Sequence, residues 1–333
     1  MARIALIGAG AFAQTHLKIY EKMTGAELLW VCDANLDAAT AAAERYGIPH
    51  VSTDYREALA DPDVEVVDIV TPNFLHLEVA VAAASAGKHI ICEKPLALTA
   101  AEGERMAGAA RENGVALYPK YHQRFDPVHQ RLAEIVGAGG GVFRVGMARR
   151  LSNHLGTLLD RNHWRGNPAL TGGGLLFSSG SHTLDVLAMV FGPVTAVTAV
   201  NRQLVADDPD KADDNATVVL EHASGGMSTF TGCWTVRQES FTVVEAYSTD
   251  DTYRVITDGD DLVLLHVTVD GTEELERTAD WFYDSNRRAL ELFVHCVDGQ
   301  AEPIYTIEDI LTSMRVLEAA YRSSDEQRRV TLG

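Results

Sequence analysis

The first third of the chain alternates short apolar runs with helical segments, and this pattern restricts the fold more than any other feature. The runs are rich in β-branched residues and read RIALIG, ELLWVCD, EVVDIVT, HIICEK and VALYPK. The segments between them, such as LDAATAAAERYG and LHLEVAVAAASAGK, have helical character. Buried parallel strands form such continuous runs and need helical crossovers between them. The pattern therefore predicts an α/β fold whose N-terminal domain, residues 1–121, is a doubly wound parallel sheet.

The character of the sequence changes after Tyr121. A helical segment covers residues 127–136, and the stretch from there to Gly174 has no regular pattern. From residue 216 onward, alternating apolar runs are separated by turn dipeptides that are typical of antiparallel hairpins. These dipeptides are Gly225-Gly226, Asp258-Gly259 and Asp270-Gly271. We expect residues 122–333 to form a second domain of the α+β type.

The charge balance excludes some classes of partner. The 333 residues include 28 Lys and Arg against 47 Asp and Glu, a formal charge of −19. Such a charge repels nucleic-acid phosphates and anionic lipid over long range. The apolar runs are short, and the chain enters a strand directly after Met1. We therefore expect no nucleic-acid binding, no signal peptide, no membrane span and a cytoplasmic location.

The cysteines and histidines do not indicate a metal site. The four cysteines form no CxxC pair, and three of them lie in apolar surroundings that suit buried structural thiols. His154, His163 and His182 lack the short ligand spacing of zinc sites. The acidic run over residues 207–214 lacks the glycine and distal glutamate of a calcium loop, so we expect a solvated loop there.

A glycine-rich turn directly after the first strand suggests dinucleotide binding. Gly8 permits the tight turn, Gly10 lets the backbone approach a pyrophosphate, and Ala13 allows close packing of helix and strand. Asp33 lies 20 residues beyond Ala13, at the end of the second strand, where an acid accepts from a ribose 2′-hydroxyl. This acid would repel a 2′-phosphate, which favours NAD over NADP. The alternatives are an ordinary turn and, for Asp33, a helix cap.

Polar residues close the ends of two neighbouring strands. Thr71-Pro72-Asn73 follows one strand and Glu93-Lys94-Pro95 follows the next, and sheets of this type bind ligands at that edge. The proline biases Lys94 toward extended backbone, so that the lysine cannot begin a helix. We expect Lys94 to face a ligand, with a surface pair with Glu93 as the alternative. For His76, packing against the neighbouring strand is as plausible as ligand contact, and for His182 the alternative is a core histidine.

Several motifs together resemble the glucose-fructose oxidoreductase, inositol dehydrogenase and rhizopine-catabolism (Gfo/Idh/MocA) oxidoreductases. The matching pieces are GAGAFA, TPNFLHLEVAVAAASAGKHIICEKPLA, QRFDP, HWRGNP and GGGLLFSSGSHTLD, in order within the first 190 residues. The resemblance implies a Rossmann domain followed by an α/β domain with a large open, mainly antiparallel sheet. It also implies a homodimer or homotetramer assembled through the free face of that sheet.

The resemblance also implies roles for individual residues. Lys94 would transfer the proton beside the nicotinamide, held by a Lys-Pro bond that is often cis in relatives, and His182 would contact the reacting hydroxyl. Relatives commonly carry an aspartate four residues before this histidine, where this chain has Ser178. The expected cofactor residues are Gly8, Gly10, Ala11, Phe12, Ala13, Asp33, Thr71, Pro72, Asn73, His76, Glu93, Lys94 and Gln123. The expected substrate residues are Lys94, Arg124, Asn153, His154, Trp164, Arg165, His182 and Tyr283.

These features predict an oxidoreductase that moves a hydride between NAD(P) and a secondary alcohol of a sugar, glycoside or cyclitol. A lysine beside a positively charged ring loses its proton more readily and can act as general base in oxidation and as acid in reduction. Two alternatives share the same motifs. One is a glycosidase that uses NAD for transient oxidation, and the other is a sugar sensor that binds dinucleotide without turnover.

Overall fold

The computed structural model describes residues 1–139, 143–154, 156, 167–205, 212–237 and 241–333. These residues divide into two compact units. The first unit contains residues 1–122 and 286–311, and the second contains residues 123–285 and 312–333. The expected boundary at residue 121 assigned everything after it to the second domain, whereas residues 286–311 group with the first unit.

The first unit is built on a six-stranded sheet in the order β3-β2-β1-β4-β5-β6. All of its strand pairs are parallel, as the alternating pattern predicts. The strands are β1 (Ala2–Ile7), β2 (Ala26–Cys32), β3 (His50–Ser52), β4 (Val66–Ile69), β5 (His89–Glu93) and β6 (Leu117–Lys120).

Helices connect these strands and begin at recognisable caps. They are α1 (Ala13–Tyr20), α2 (Leu36–Tyr46), α3 (Tyr55–Ala60), α4 (His76–Ser85) and α5 (Ala100–Glu112), with a 3₁₀ turn at Asn73–Leu75. Helix α5 starts with a capping box, because Thr99 Oγ1 accepts from the Glu102 amide at 3.1 Å. The return of the chain to the first unit lies within α9 (Trp281–Val297) and α10 (Ile307–Glu326), which contribute residues to both units.

The second unit contains a nine-stranded sheet in the order β14-β13-β12-β11-β7-β10-β9-β8-β15. Only β7 and β10 pair in parallel among the described strands, so the sheet is mainly antiparallel, as expected. The strands are β7 (Val145–Leu151), β8 (Val194–Arg202), β9 (Asn215–His222), β10 (Met227–Cys233), β11 (Phe241–Tyr247), β12 (Thr252–Asp258), β13 (Asp261–Thr268), β14 (Gly271–Thr278) and β15 (Val330–Thr331). The three turn dipeptides lie at the β9–β10, β12–β13 and β13–β14 connections, where the sequence placed them.

Strand β7 corrects the sequence analysis, which expected no regular structure before Gly174. It is an interior strand that pairs with β10 and β11. Its sequence, VGMARRL, carries a glycine and two arginines, and its outward side chains are exposed. A strand with one solvated face does not form the continuous apolar run by which buried strands are recognised.

Helices cover one face of this sheet and complete the core of the second unit. They are α6 (Pro127–Ala138), α7 (Pro168–Thr171), a π-helical segment (Leu176–Gly180) and α8 (Ser181–Phe191), with a 3₁₀ turn at His122–Phe125. The stretch Pro168–Phe191 is long and apolar enough to cross a membrane by length and composition. However, 83% of its apolar window is buried inside the protein, and core helices pass the same test.

Candidate active site

The turn after β1 has the shape that a dinucleotide requires. Gly8 has φ +106°, and a Cβ at this residue would lie 2.5 Å from the Val70 carbonyl oxygen, so no side chain fits. A Cβ at Gly10 would meet no atom within 4 Å, which leaves open space beside the exposed turn. Ala13 is fully buried at the start of α1. Ala11 is exposed and Phe12 is half-buried just before this helix.

Asp33 supports the glycine-rich turn. Its Oδ2 accepts from the Ala9 amide at 2.7 Å, and its Oδ1 accepts from the Asn35 amide at 2.8 Å. The cap of α2 is Asn35, whose side chain accepts from the Asp37 and Ala38 amides, so the helix-cap alternative for Asp33 does not hold. The half-buried carboxylate keeps further lone pairs for ribose hydroxyls.

His76 joins the two loops that follow β4 and β5. Its Nε2 lies 3.0 Å from the Thr71 carbonyl oxygen, and its Nδ1 lies 3.1 Å from the Pro95 carbonyl oxygen. Burial lowers the pKa of this imidazole, which is completely enclosed. The neutral ring carries one N–H and donates to one loop at a time. His76 is therefore a positioning residue that packs between the loops.

Lys94 is held by the buried residues on either side of it. The Glu93 carboxylate accepts from the Lys94 amide at 3.1 Å, and the Lys94–Pro95 peptide bond is cis. Lys94 is half-buried, while Glu93 and Pro95 are buried. The backbone direction of Lys94 is thus fixed at the carboxyl end of β5.

A buried network of charges lies beneath these loops, and the sequence analysis did not find it. His16 Nδ1 lies 2.6 Å from Asp68 Oδ2, and its Nε2 lies 2.9 Å from Glu93 Oε1. Lys120 pairs with Glu93 at 2.7 Å and also donates to Asn286. All four charged side chains of this network are buried, and two potential cations balance two anions. Glu93, which we expected among the cofactor residues, is therefore also a member of this buried network.

The network favours its charged forms. Burial by itself lowers the pKa of His16, but the Asp68 carboxylate and the hydrogen bonds to Asp68 and Glu93 raise it above its ordinary value. Burial disfavours ionised Glu93, yet the Lys120 ammonium and His16 hold the pKa of that carboxyl well below its usual range. Phe12 also faces this network, because Lys120 Nζ lies 5.2 Å from its ring centroid.

In the second unit, Ser178 and His182 lie on the helical stretch that contains the π segment. Single π turns inside helices are frequent at functional sites. Asp213 anchors the start of this segment, since its carboxylate accepts from the Gly174 and Leu176 amides at 2.9 and 2.8 Å. Every residue from 173 to 187 is buried except Ser178, which is half-buried. Asp213 belongs to the acidic run over residues 207–214 that we expected to be a solvated loop. Asp213 and Asp214 are buried, so that expectation was wrong for both, and residues 207–211 lie outside the described residues.

Arg124, expected to contact substrate, is occupied by a buried ion pair. Its Nε and Nη2 donate to the two carboxylate oxygens of Asp185 at 2.8 and 2.7 Å. Ser313 donates to the same carboxylate at 2.6 Å. Such a bidentate pair is strong and geometrically fixed. Arg124 therefore holds α8 in place, and its fork is not available to a substrate.

The remaining expected residues fall into three groups. Asn153 is exposed and His154 half-buried just after β7, and the His154 ring lies 5.0 Å from that of Trp234. Gln123 is buried in the 3₁₀ turn, and Tyr283 is half-buried in α9. Trp164 and Arg165, like His163, lie outside the described residues.

The first unit fits a dinucleotide. The open space at Gly10 and the acceptor Asp33 suit a pyrophosphate and a ribose. The loop after β4 adds a donor, because Thr71 Oγ1 is buried and has no hydrogen-bond partner in the part of the chain that the structure describes. A buried hydroxyl without a partner at the ligand-binding edge of such a sheet suits a polar ligand group.

Two family models match the chain in succession. The model of the GFO/IDH/MocA oxidoreductase family, with an NAD-binding Rossmann fold, matches residues 2–121. The model of the GFO/IDH/MocA C-terminal domain matches residues 129–258. Both agree with the two parts that the sequence motifs indicate.

Individual proteins resemble the chain along its length. D-glucoside 3-dehydrogenase from Escherichia coli K12 is 31% identical over 351 residues, covering 99% of this chain and 97% of that protein. Levoglucosan dehydrogenase from Pseudarthrobacter phenanthrenivorans is 33% identical over 224 residues, covering 62% of this chain and 55% of that protein. A solved structure of levoglucosan dehydrogenase in complex with NADH has TM-score 0.88 and 22% identity, covering 100% of this chain and 99% of that chain. At this identity the structure supports the fold alone.

Proposed function

The chain belongs to the GFO/IDH/MocA family of NAD-binding oxidoreductases, and on this premise we propose that it oxidises or reduces a polyol. The reaction moves a hydride between NAD and a secondary alcohol of a sugar, glycoside or cyclitol. The names of the relatives support this substrate class, since they are dehydrogenases of D-glucosides and levoglucosan. NAD rather than NADP fits the acid at residue 33.

One observation carries the proposal: Lys94 is fixed in direction by buried groups on both sides. Glu93 holds its amide, and His76 contacts the carbonyl of the next residue, Pro95. Both groups belong to enclosed parts of the first unit. A general base must be held close to the proton that it takes. Lys94 is therefore the residue that we assign to proton transfer.

The proposed chemistry uses the two states of the lysine amine. NAD, when bound, supplies the hydride acceptor and, in its oxidised form, a positive charge. A neighbouring positive charge favours the neutral amine of Lys94. The neutral amine takes the hydroxyl proton as the carbon–hydrogen bond yields its hydride, and the protonated amine returns the proton in the reverse direction. His182 and Ser178 are our candidates for contacts with the substrate hydroxyls.

The test is turnover of purified protein with NAD and a panel of inositols, sugars and glucosides, followed by NADH absorbance. Lys94→Met should lower kcat by about 100-fold or more, as expected for loss of a general base, while NAD binding persists. Lys18→Met, at an exposed position of α1, is the control and should behave as the wild type. Full activity of Lys94→Met would contradict the assignment.

The same assay separates the alternatives. Glycoside cleavage without net NADH formation would indicate the NAD-dependent glycosidase. Tight NAD binding with no turnover across the whole panel would indicate the sensor.

We also propose that the outer face of the second unit's sheet pairs with a second copy of the chain. Four large apolar residues on this face are exposed, and register places them on the same side of the sheet. They are Val145 (41%), Met147 (44%), Val200 (52%) and Met227 (51%). Exposed apolar residues on a flat sheet suit such an interface. Light scattering should give a multiple of 36.2 kDa for the wild type and a smaller mass for Met147→Glu. A wild-type monomer would refute this.

A further inference from the structure

Several side chains of the second unit contain buried polar atoms that have no partner among the described residues, and three of them belong to α6 and the end of β7. They are Arg150 Nη1, Ser152 Oγ and both ring nitrogens of His129. The Gln123 backbone lies beside the His129 ring without meeting hydrogen-bond geometry. Buried polar groups in folded proteins are nearly always paired, so three unpaired groups in one region require an explanation.

The three side chains lie near one another. Along β7, Gly146 and Ala148 are buried, whereas Met147 and Arg149 are exposed. Because side chains alternate between the two faces of a strand, Arg150 lies on the same covered face as Gly146 and Ala148. Ser152 continues this face, because its amide still pairs with the Cys233 carbonyl at 2.9 Å. Helix α6 places His129 within electrostatic reach of Arg150. Burial, with a smaller contribution from the charge of Arg150, lowers the pKa of His129 to about 4.

The half-buried Arg150, whose Nη1 is enclosed, is a cation without a counter-ion in the described structure. Burial lowers the pKa of its guanidinium to about 10, so the group stays charged at neutral pH. By contrast, Lys120 pairs with Glu93 and Arg124 with Asp185, while the buried Lys88 donates to two backbone carbonyl oxygens. An unmatched buried charge costs free energy that an anionic ligand group would recover.

We propose that Arg150, Ser152 and His129 bind the carboxylate of an acidic sugar, so that the substrate of this enzyme is a sugar acid. The planar guanidinium fork matches a carboxylate bidentately, and the hydroxyl and the neutral imidazole each supply one more donor. Asn153 and His154, which we expected to contact substrate, follow directly in the chain. The inference rests on the proposed dehydrogenase function and names its substrate class.

The first test measures binding without turnover. Calorimetric titration compares D-glucuronate with D-glucose and D-galacturonate with D-galactose, using the NADH-bound protein, which cannot oxidise these sugars. The acid should bind at least about tenfold more tightly than its neutral partner, and Arg150→Gln should abolish this difference. Arg150→Lys should recover part of it, because lysine keeps the charge but lacks the fork. Arg131→Gln, at an exposed position on the helix that carries His129, is the matched control and should retain the difference.

The second test measures NADH formation with the same pairs. We expect kcat/KM for the acids to exceed that for the neutral sugars and to fall about 100-fold in Arg150→Gln, with the neutral sugars unaffected. If glucuronate binds in an Arg150-dependent way but no NADH forms, the result contradicts the dehydrogenase function and supports the carboxylate site. If the wild type oxidises neutral sugars as fast as sugar acids, the carboxylate site is contradicted. This outcome does not depend on whether the Arg150 variants fold. Binding of acetate as tight as that of glucuronate would also overturn it, since the site would then serve a free anion.

Discussion

Two regions of the protein, a network in the first unit and the end of β7 in the second, treat charge in opposite ways. In the first unit, His16, Asp68, Glu93 and Lys120 satisfy one another within one network. In the second unit, Arg150 has no counter-ion in the described residues. Charges that are paired within the protein hold a fixed geometry. A charge that has no partner in the protein can instead contribute free energy to the binding of a ligand. The difference separates residues that position the site from residues that recognise what enters it.

The largest expected effect comes from breaking the matched network. Lys120→Met leaves the Glu93 carboxylate buried without its ammonium partner. Loss of one member of a buried pair costs roughly 3–5 kcal/mol. The free energy of unfolding, measured in urea at pH 7, should fall by this amount. Lys18→Met serves as the surface control, and a loss below about 1 kcal/mol for Lys120→Met would show that the network does not stabilise the fold.

The second prediction concerns Asp126, which caps α6 through the Val128 amide at 2.9 Å. Burial raises the pKa of this carboxyl from 3.8 to about 6, so the folded state favours the protonated form. The resulting stabilisation is complete below about pH 4 and is lost as the pH rises through 6. Asp126→Asn is neutral throughout and still caps the helix.

The variant should therefore match the wild type at pH 4 and exceed its stability at pH 8. The excess should be ~3 kcal/mol at most, taking roughly 1.4 kcal/mol for each pKa unit. Urea unfolding across this pH range measures it. A pH-independent difference between the two proteins would contradict the assignment.

Substitution of Arg150 should change the stability of the protein in the opposite direction to substitution of Lys120. Arg150→Met removes a buried charge that has no partner, so the ligand-free protein should become more stable by roughly 1–3 kcal/mol. Thermal unfolding without sugar compares this variant with Lys120→Met. If both substitutions destabilise the protein equally, Arg150 is paired in solution and the contrast between the two regions fails.

Sequence reasoning succeeded where the signal is local. The parallel strands were predictable because buried strands between helices form continuous apolar runs, and Gly8 was predictable because only glycine fits its turn. Strand β7 was missed because arginines and a glycine interrupt its apolar residues.

The charge network was missed for a different reason. His16 lies 52 residues from Asp68 and 77 from Glu93 along the chain, and nothing in a linear pattern pairs them. One signal was present, since Asp68 interrupts the apolar run EVVDIVT, where a buried acid needs a partner. The pairing of Arg124 with Asp185 was also missed, because a sequence does not reveal which acid a guanidinium contacts.

The hydrogen bond between Asp33 and the Ala9 amide limits how cofactor preference can change. Residue 33 is the natural place to alter in order to admit a 2′-phosphate, because its negative charge opposes that group. The same carboxylate also steadies the turn that receives the pyrophosphate. Replacing Asp33 by a neutral or basic side chain would thus remove the charge that opposes the 2′-phosphate but also destabilise the turn, unless the replacement still accepts from the Ala9 amide.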